Sequence, residues 1–237
     1  MSLGGSGVNI QALHQIEITS RCNLRCRYCT HPKMTRSKMD MDRNVYTKSL
    51  EWVARFVHQG TQREVNLAGI GESTMHPDFI EYVGMAREIV GDNCMIALAT
   101  NGVALTEEMA EALLINDVWT WVSLHRPEKA GPAVELLKRY GVLKGVSADP
   151  SVAAIDWAGQ VNWYTSAQTK GDPCQWLTMN RAMVMSDGRI TQCCLDAEGL
   201  GVMGHVNEAV DKMTIGSYVL CDTCHLSSGM NQQERVA

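Results

Sequence analysis

Apolar and polar positions along this chain switch repeatedly between two rhythms. Residues 14–19 alternate with the two-residue period of a strand. Residues 40–58 place Val45, Leu50, Trp52, Val53, Phe56 and Val57 on one helical face. The exchange then recurs, with predicted strands at 64–67, 95–99, 118–124, 143–148 and 160–164. Between them lie helical stretches beginning near Pro77, at 106–114 and 132–140, and a short turn of helix at 152–157. The helix at 106–114 carries only half a capping box in Thr106-Glu107-Glu108-Met109, because the third residue after Thr106 is Met. Alternation with short connections predicts a parallel sheet covered by helices. Polar residues recur at the C-terminal ends of the strands, where parallel barrels carry their chemistry. Six such units are too few for a closed eightfold barrel, so the expected fold is α/β, an incomplete (β/α)6 barrel.

From residue 171 the pattern changes. Residues 181–185 and 189–193 predict a β-hairpin around Ser186-Asp187-Gly188, since Asp-Gly favours a tight primed turn. A Gly-rich loop at 196–204 and a short helix at 210–215 follow, and Cys221-Asp222-Thr223-Cys224 closes the ordered part. The expected organisation is a flexible leader at 1–12 and a barrel at 13–168. A small hairpin-and-helix domain at 169–229 and a frayed tail at 230–237 complete it.

Composition narrows the functional classes. The 237 residues suffice for one α/β core with a small appendage. A net charge of −5 gives no support to binding by phosphate neutralisation. There is no apolar run of the length needed to span a membrane, and no signal peptide precedes the first strand. Nine unevenly spread cysteines without an export signal argue for two metal-binding sets rather than a disulfide scaffold, in a reducing, cytoplasmic setting.

The first set is Cys22-Asn23-Leu24-Arg25-Cys26-Arg27-Tyr28-Cys29. Three thiolates at this spacing wrap one side of a cubane and leave its fourth iron open. The rival reading, structural zinc, needs His31 as a fourth ligand. Cys-x3-Cys-x-aromatic-Cys, with Tyr28 as the aromatic, resembles the signature of the radical S-adenosylmethionine (SAM) enzymes. In that family the open iron chelates SAM, and one-electron reduction releases a 5′-deoxyadenosyl radical that abstracts a substrate hydrogen. The incomplete barrel is the fold typical of the family.

The resemblance implies further site residues. Tyr28 would lie beside the adenine. Gly69, Gly71 and Glu72, in the form Gly-x-Gly-Glu, are similar to the family motif that binds the SAM amino group, with Ser73 where related members often have Pro. Asn101, in Thr100-Asn101-Gly102, would approach the cofactor from the third strand, and Ser123 would lie near the ribose or the methionine carboxylate. Ser147 and Asp149, at the fifth strand end, would touch adenosine or substrate. His125, two residues beyond Ser123, either faces substrate or is a structural histidine.

The order Cys174, Gly188, Cys193, then Cys221 and Cys224, resembles the C-terminal auxiliary-cluster extension of many radical SAM enzymes. It is the shortened, twitch or SPASM-like form holding one [4Fe–4S] cluster. Four sulfurs also suit zinc, so both metals stay open here. The spacing to Gly188 favours Cys193 over Cys194, which with Cys94 then reads as a small buried apolar residue. His205 or His225 would be a substitute ligand. Closed by four thiolates, such a cluster would accept or donate an electron or act as a scaffold.

The expected activity is therefore that of a radical SAM oxidoreductase or isomerase with two [4Fe–4S] clusters. Its substrate would be a small polar molecule, aminocyclitol- or sugar-like or an amino-acid-modified nucleotide, undergoing dehydrogenation or rearrangement. Family members of this short form include an aminocyclitol dehydrogenase, and no peptide-binding domain precedes the barrel. Peptide epimerisation or crosslinking is the alternative enzyme reading, and a zinc-stabilised interaction module the non-enzyme one. His125 and Tyr164 are the candidate acid–base groups. Arg126, Lys170 and Arg181 are candidates to hold an anionic substrate group. A flavodoxin- or ferredoxin-type electron donor and a monomeric state complete the expectation.

Overall fold

The structure, a computed structural model, describes residues 8–147, 157–161 and 174–224. Strands β1 (Val8–Asn9) and β2 (Ala12–Ile16) lead through the Cys22–Cys29 loop to helix α1 (Arg43–His58). The alternation continues through β3 (Glu64–Asn66), α2 (Phe79–Val90), β4 (Met95–Thr100), α3 (Glu107–Ile115), β5 (Val118–Ser123), α4 (Pro127–Arg139) and β6 (Leu143–Ser147). Then come α5 (Gln175–Thr178), β7 (Arg181–Val184), β8 (Arg189–Thr191), β9 (Val202–His205) and β10 (Thr214–Ile215). One eight-stranded sheet has the order β6-β5-β4-β3-β2-β7-β8-β9. Its first six strands are parallel, and β8 and β9 join antiparallel.

The helices cover one face of this sheet because strand and helix periodicities bring apolar residues together there. Leu13, Ile16, Val65, Ile96, Leu98 and Val118 from the strands pack with Tyr46, Leu50, Val53, Phe56, Tyr82 and Leu137 from the helices. Burying each large side chain contributes about 1.5–3 kcal/mol. Asp42 caps α1 by accepting from the Asn44 amide at 2.8 Å. Thr106 caps α3 through the Met109 amide at 3.3 Å, the half of the capping box that its sequence retains. Among the described residues no helix is long and apolar enough to cross a membrane.

Several local expectations are corrected. The first strand runs Ala12–Ile16 rather than 14–19, and Thr19 makes only an isolated bridge to Asp40. Residues 8–12, assigned to a leader, are folded: β1 pairs with β10, and Ile10 is buried. Accordingly residues 210–215 are a turn of 3-10 helix, Val210–Lys212, followed by β10 rather than a helix. The Gly-rich segment 196–204 runs into strand β9. Helix α4 begins at Pro127, whose missing N–H costs nothing in a first turn, so Pro132 lies inside it.

The hairpin β7–β8 is present, but not with a primed two-residue turn. Only Gly188 takes positive φ, +85°, and its amide bonds to the Met185 carbonyl at 2.9 Å, giving a three-residue loop. Among the described residues the sixth parallel strand is β7, beside β2. Residues 157–160 form a turn, whereas 162–164 of the strand expected at 160–164, 152–156 of the helix expected at 152–157 and the boundary at 168 lie outside the described residues.

The addition of β7 to β2 brings a buried ion pair into the centre of the molecule. Glu17, fully buried just after β2, accepts from Arg36 Nη2 with both carboxylate oxygens, each at 2.7 Å. The same carboxylate accepts the amides of Ile70 at 3.0 Å and Ser186 at 3.1 Å. Arg36 also donates to the Ala197 carbonyl at 2.5 Å and the Ser186 hydroxyl at 3.2 Å. One pair therefore fastens the barrel strand, the loop after the three cysteines, the turn after β3 and the C-terminal hairpin. Removing one partner strands the other charge in a dry site, which costs about 3–5 kcal/mol. Arg36→Met is therefore expected to lower unfolding stability by about that amount in anaerobic urea titration. A loss under about 1 kcal/mol would contradict the assignment.

Candidate functional site

The loop from Cys22 to Cys29 lies at the C-terminal end of β2, where the parallel strands open. Its sulfurs are set by backbone donors: the Leu24 amide points to Cys22 Sγ and the His31 amide to Cys29 Sγ, each at 3.4 Å. Cys22, Cys26 and Cys29 lie close enough to repel one another as thiolates. His31 turns Nε2 to the Ser20 carbonyl at 3.1 Å, and its Nδ1 is buried without a hydrogen-bond partner within the protein. Amide donors aimed at thiolate sulfur suit an iron–sulfur cluster, whose properties such bonds tune.

Gly69 and Gly71 line the turn beside this loop. A Cβ on Gly69 would collide with the Glu17 side chain, and one on Gly71 with the Thr19 and Arg21 carbonyls. This packing is closed to any side chain, which is why glycine stands at both positions. Glu72 follows, buried, and its carboxylate is fully engaged within the protein. It accepts from Thr100 Oγ1 at 2.5 Å, the Asn101 amide at 2.7 Å, and the Thr74 hydroxyl and amide at 2.7 and 3.3 Å. Burial raises the Glu72 pKa, and these four donors oppose the rise. Glu72 thus ties the β3 turn to the end of β4 rather than reaching out as a carboxylate.

Asn101 completes the tie. Its side-chain amide donates to Asn23 Oδ1 at 2.8 Å and approaches Cys22 Sγ at 3.9 Å. Ser123 and Ser147 end adjacent strands as register partners, with Ser147 exposed. His125 is brought to Tyr28 across 97 residues of chain, with Nδ1 and the phenol oxygen 2.8 Å apart. Burial lowers the His125 pKa, which keeps its ring neutral near pH 7. Burial and the neighbouring Cys26 and Cys29 raise the Tyr28 pKa. Arg126 lies exposed at the rim, near enough to Tyr28 to oppose that rise. Arg181 is elsewhere, beside His14, whose pKa falls to about 4 through burial and that guanidinium. Asp149, Tyr164, Lys170 and His225 lie outside the described residues.

The second cysteine set also converges. Cys174, Cys193, Cys221 and Cys224 line one small cavity together with Tyr218 and Trp176. Cys193 is part of its wall, and its neighbour Cys194 is not. Cys174 leads α5, and Cys221 lies on a 3-10 turn, Val219–Asp222. Among the described residues neither this set nor Cys22, Cys26 and Cys29 has three side chains drawn together around a single ion. His205 is held by the Asp187 carbonyl at 3.1 Å. Cys94 is buried among apolar neighbours, as expected.

Sequence reading missed Glu17, Arg36, Glu198, Trp157 and Tyr218. Glu198 accepts from the Thr35 amide and hydroxyl at 2.7 and 2.8 Å. Trp157 donates to the Tyr28 carbonyl at 2.9 Å. The one local signal was Glu17 itself, a carboxylate between Ile16 and Ile18.

Comparison with known proteins agrees with this geometry. The profile described as "Radical SAM superfamily" matches residues 16–168. The tungsten-containing aldehyde ferredoxin oxidoreductase cofactor-modifying protein of Pyrococcus furiosus is 37% identical over 98 residues, 41% of this chain and 26% of that protein. The matched stretch thus spans about a quarter of that relative's length. Among solved structures, BtrN in complex with AdoMet and 2-DOIA superposes with a TM-score of 0.71 at 20% identity, over 85% of this chain and 80% of that one. Native anSMEcpe with bound AdoMet and Cp18Cys peptide gives a TM-score of 0.59 at 17% identity, over 95% and 82%. These likenesses show a shared fold.

Burial pushes the Cys22 thiol up to about 11. A raised thiol pKa means that below it the metal-free chain holds a proton on this sulfur, and ligation must displace it. Iodoacetamide labelling of Cys22 in metal-free protein is therefore expected to rise about tenfold per pH unit through pH 10. A plateau by pH 8, read by peptide mass spectrometry, would contradict the assigned environment.

Proposed function

The chain belongs to the radical SAM superfamily, and on that premise we propose that it removes hydrogen from a C–H bond of a small polar substrate. The observation that carries this reading is the convergence of the Cys22–Cys29 loop, the Gly69–Gly71 turn and Asn101 at one end of the sheet, joined through Glu72 and Asn23. When bound, the cluster on Cys22, Cys26 and Cys29 supplies the electron that splits SAM into methionine and a 5′-deoxyadenosyl radical.

The chain's own residues position and protect. Gly69 and Gly71 let backbone approach the SAM amino group, and Glu72 holds that turn through its internal bonds. Asn101 stands between the cysteine loop and β4, Ser123 offers its hydroxyl to the ribose or the methionine carboxylate, and Ser147 offers its own to adenosine or substrate. Tyr28 lies at the adenine side and holds His125 by one hydrogen bond. Kept neutral by burial, His125 is suited to take up or pass on a proton once the substrate C–H bond is broken. Tyr164 is the second proposed acid–base group. Cys174, Cys193, Cys221 and Cys224 would hold an auxiliary [4Fe–4S] cluster as electron acceptor or donor. A flavodoxin- or ferredoxin-type donor in a reducing cytoplasm would supply the first electron to a monomeric enzyme.

An aminocyclitol, sugar-like or amino-acid-modified nucleotide substrate is supported by the likeness to BtrN, which holds 2-DOIA beside AdoMet. A peptide substrate, epimerised or crosslinked, is the second reading, favoured by the likeness to anSMEcpe with its bound peptide. The deciding experiment incubates the reduced enzyme with SAM and deuterated candidates from both classes. Deuterium is expected in 5′-deoxyadenosine with a polar small molecule and not with a peptide, and Cys26→Ala abolishes it. Transfer from the peptide alone would overturn the substrate assignment.

A further inference from the structure

The cavity lined by Cys174, Cys193, Cys221 and Cys224 contains a polar group that the four-thiolate set does not use. The Tyr218 hydroxyl oxygen is buried beside the Cys193 thiol, and no hydrogen bond of good geometry satisfies it within the protein. A buried hydroxyl left unpaired costs about 1–3 kcal/mol, so an orphan of this kind calls for a partner that is not protein. The ring has little freedom to turn elsewhere. Gly201 approaches it so closely that any Cβ there would strike the ring. Gly201 is itself held by Asp196, which accepts its amide at 2.7 Å. Tyr218 packs against the buried cluster of Ala158, Leu195, Leu220 and Cys224, as does Cys193.

The cavity therefore offers four sulfur ligands and one fixed O–H donor beside Cys193. Building on the reading that these cysteines hold a [4Fe–4S] cluster, we infer that Tyr218 donates a hydrogen bond to a cluster sulfur on its Cys193 side and raises that cluster's reduction potential. Reduction makes the sulfurs more electron-rich, so a donor stabilises the reduced form more than the oxidised one. Hydrogen bonds to sulfur are among the factors that set such potentials.

The test is a potentiometric titration of the anaerobic holoenzyme, followed by electron paramagnetic resonance, for wild type and Tyr218→Phe. Phe keeps the ring and its packing and removes only the donor. At a fixed potential the reduced-to-oxidised ratio of the auxiliary cluster is expected to fall about tenfold, equal to about 59 mV for one electron, while the SAM-responsive wave stays in place. A fully iron-loaded variant with an unmoved auxiliary midpoint overturns the role of Tyr218 and leaves the cluster reading standing. Wild-type protein with iron for one cluster and a single wave overturns the cluster reading, and this inference with it. Should Tyr218→Phe fail to load, 3-fluorotyrosine at position 218 retains the ring and strengthens the donor. Its auxiliary midpoint is expected to rise, and an unchanged value overturns the inference.

Discussion

A carboxylate and a guanidinium removed from water together are tolerated only while each has the other and every remaining lone pair and proton is bonded. Each oxygen of Glu17 and each guanidinium nitrogen of Arg36 has such a partner, through the Ala197 carbonyl and four segments far apart in sequence: the end of β2, the loop after the cysteines, the Gly69–Ile70 turn and the β7–β8 hairpin. None of the four can move away alone without leaving a buried charge short of a partner. The C-terminal segment is thereby made part of the barrel's own wall. The parallel pairing of β7 with β2 is the same constraint expressed in the backbone.

Within the site, carboxylates and sulfurs divide the work. Glu17 and Glu72 are both buried and both saturated by internal donors, so they shape the cradle and leave ligand contacts to others. What remains open at the strand ends is the cysteine loop, the backbone of the Gly69–Gly71 turn, and the Tyr28–His125 pair. Asp196 does equivalent work near the second cysteine set. It accepts the amides of Gly199, Leu200 and Gly201 at 2.7–2.9 Å and holds the loop against which Tyr218 packs.

Much of this was legible in the sequence because its signals are local. Cys22, Cys26 and Cys29 lie within eight residues, and the strand–helix alternation needs only windows of a turn or two. The grouping of Cys174 and Cys193 with Cys221 and Cys224 was implied by the resemblance to the auxiliary-cluster extension. What escaped was long-range pairing. Nothing near Glu17 indicates Arg36 or Ser186 as its partners, because that contact exists only once β7 has docked beside β2. The Tyr28–His125 contact depends on β5 ending opposite the cysteine loop. Local rules also competed: Asp187-Gly188 marked the hairpin correctly, but left-handed geometry at Gly188 alone gave a different loop. Pro132 looked like a helix start until Pro127 supplied an earlier one.

The central claim is that a cluster held by three cysteines keeps one iron available to SAM. It is tested most directly by the electron paramagnetic resonance spectrum of the reduced, anaerobically purified enzyme, recorded with and without SAM. The account predicts that SAM changes the signal of one cluster, and that the change disappears when Cys22, Cys26 and Cys29 are replaced by Ala. A reduced-cluster spectrum indifferent to SAM, or the absence of any iron–sulfur signal, would contradict it.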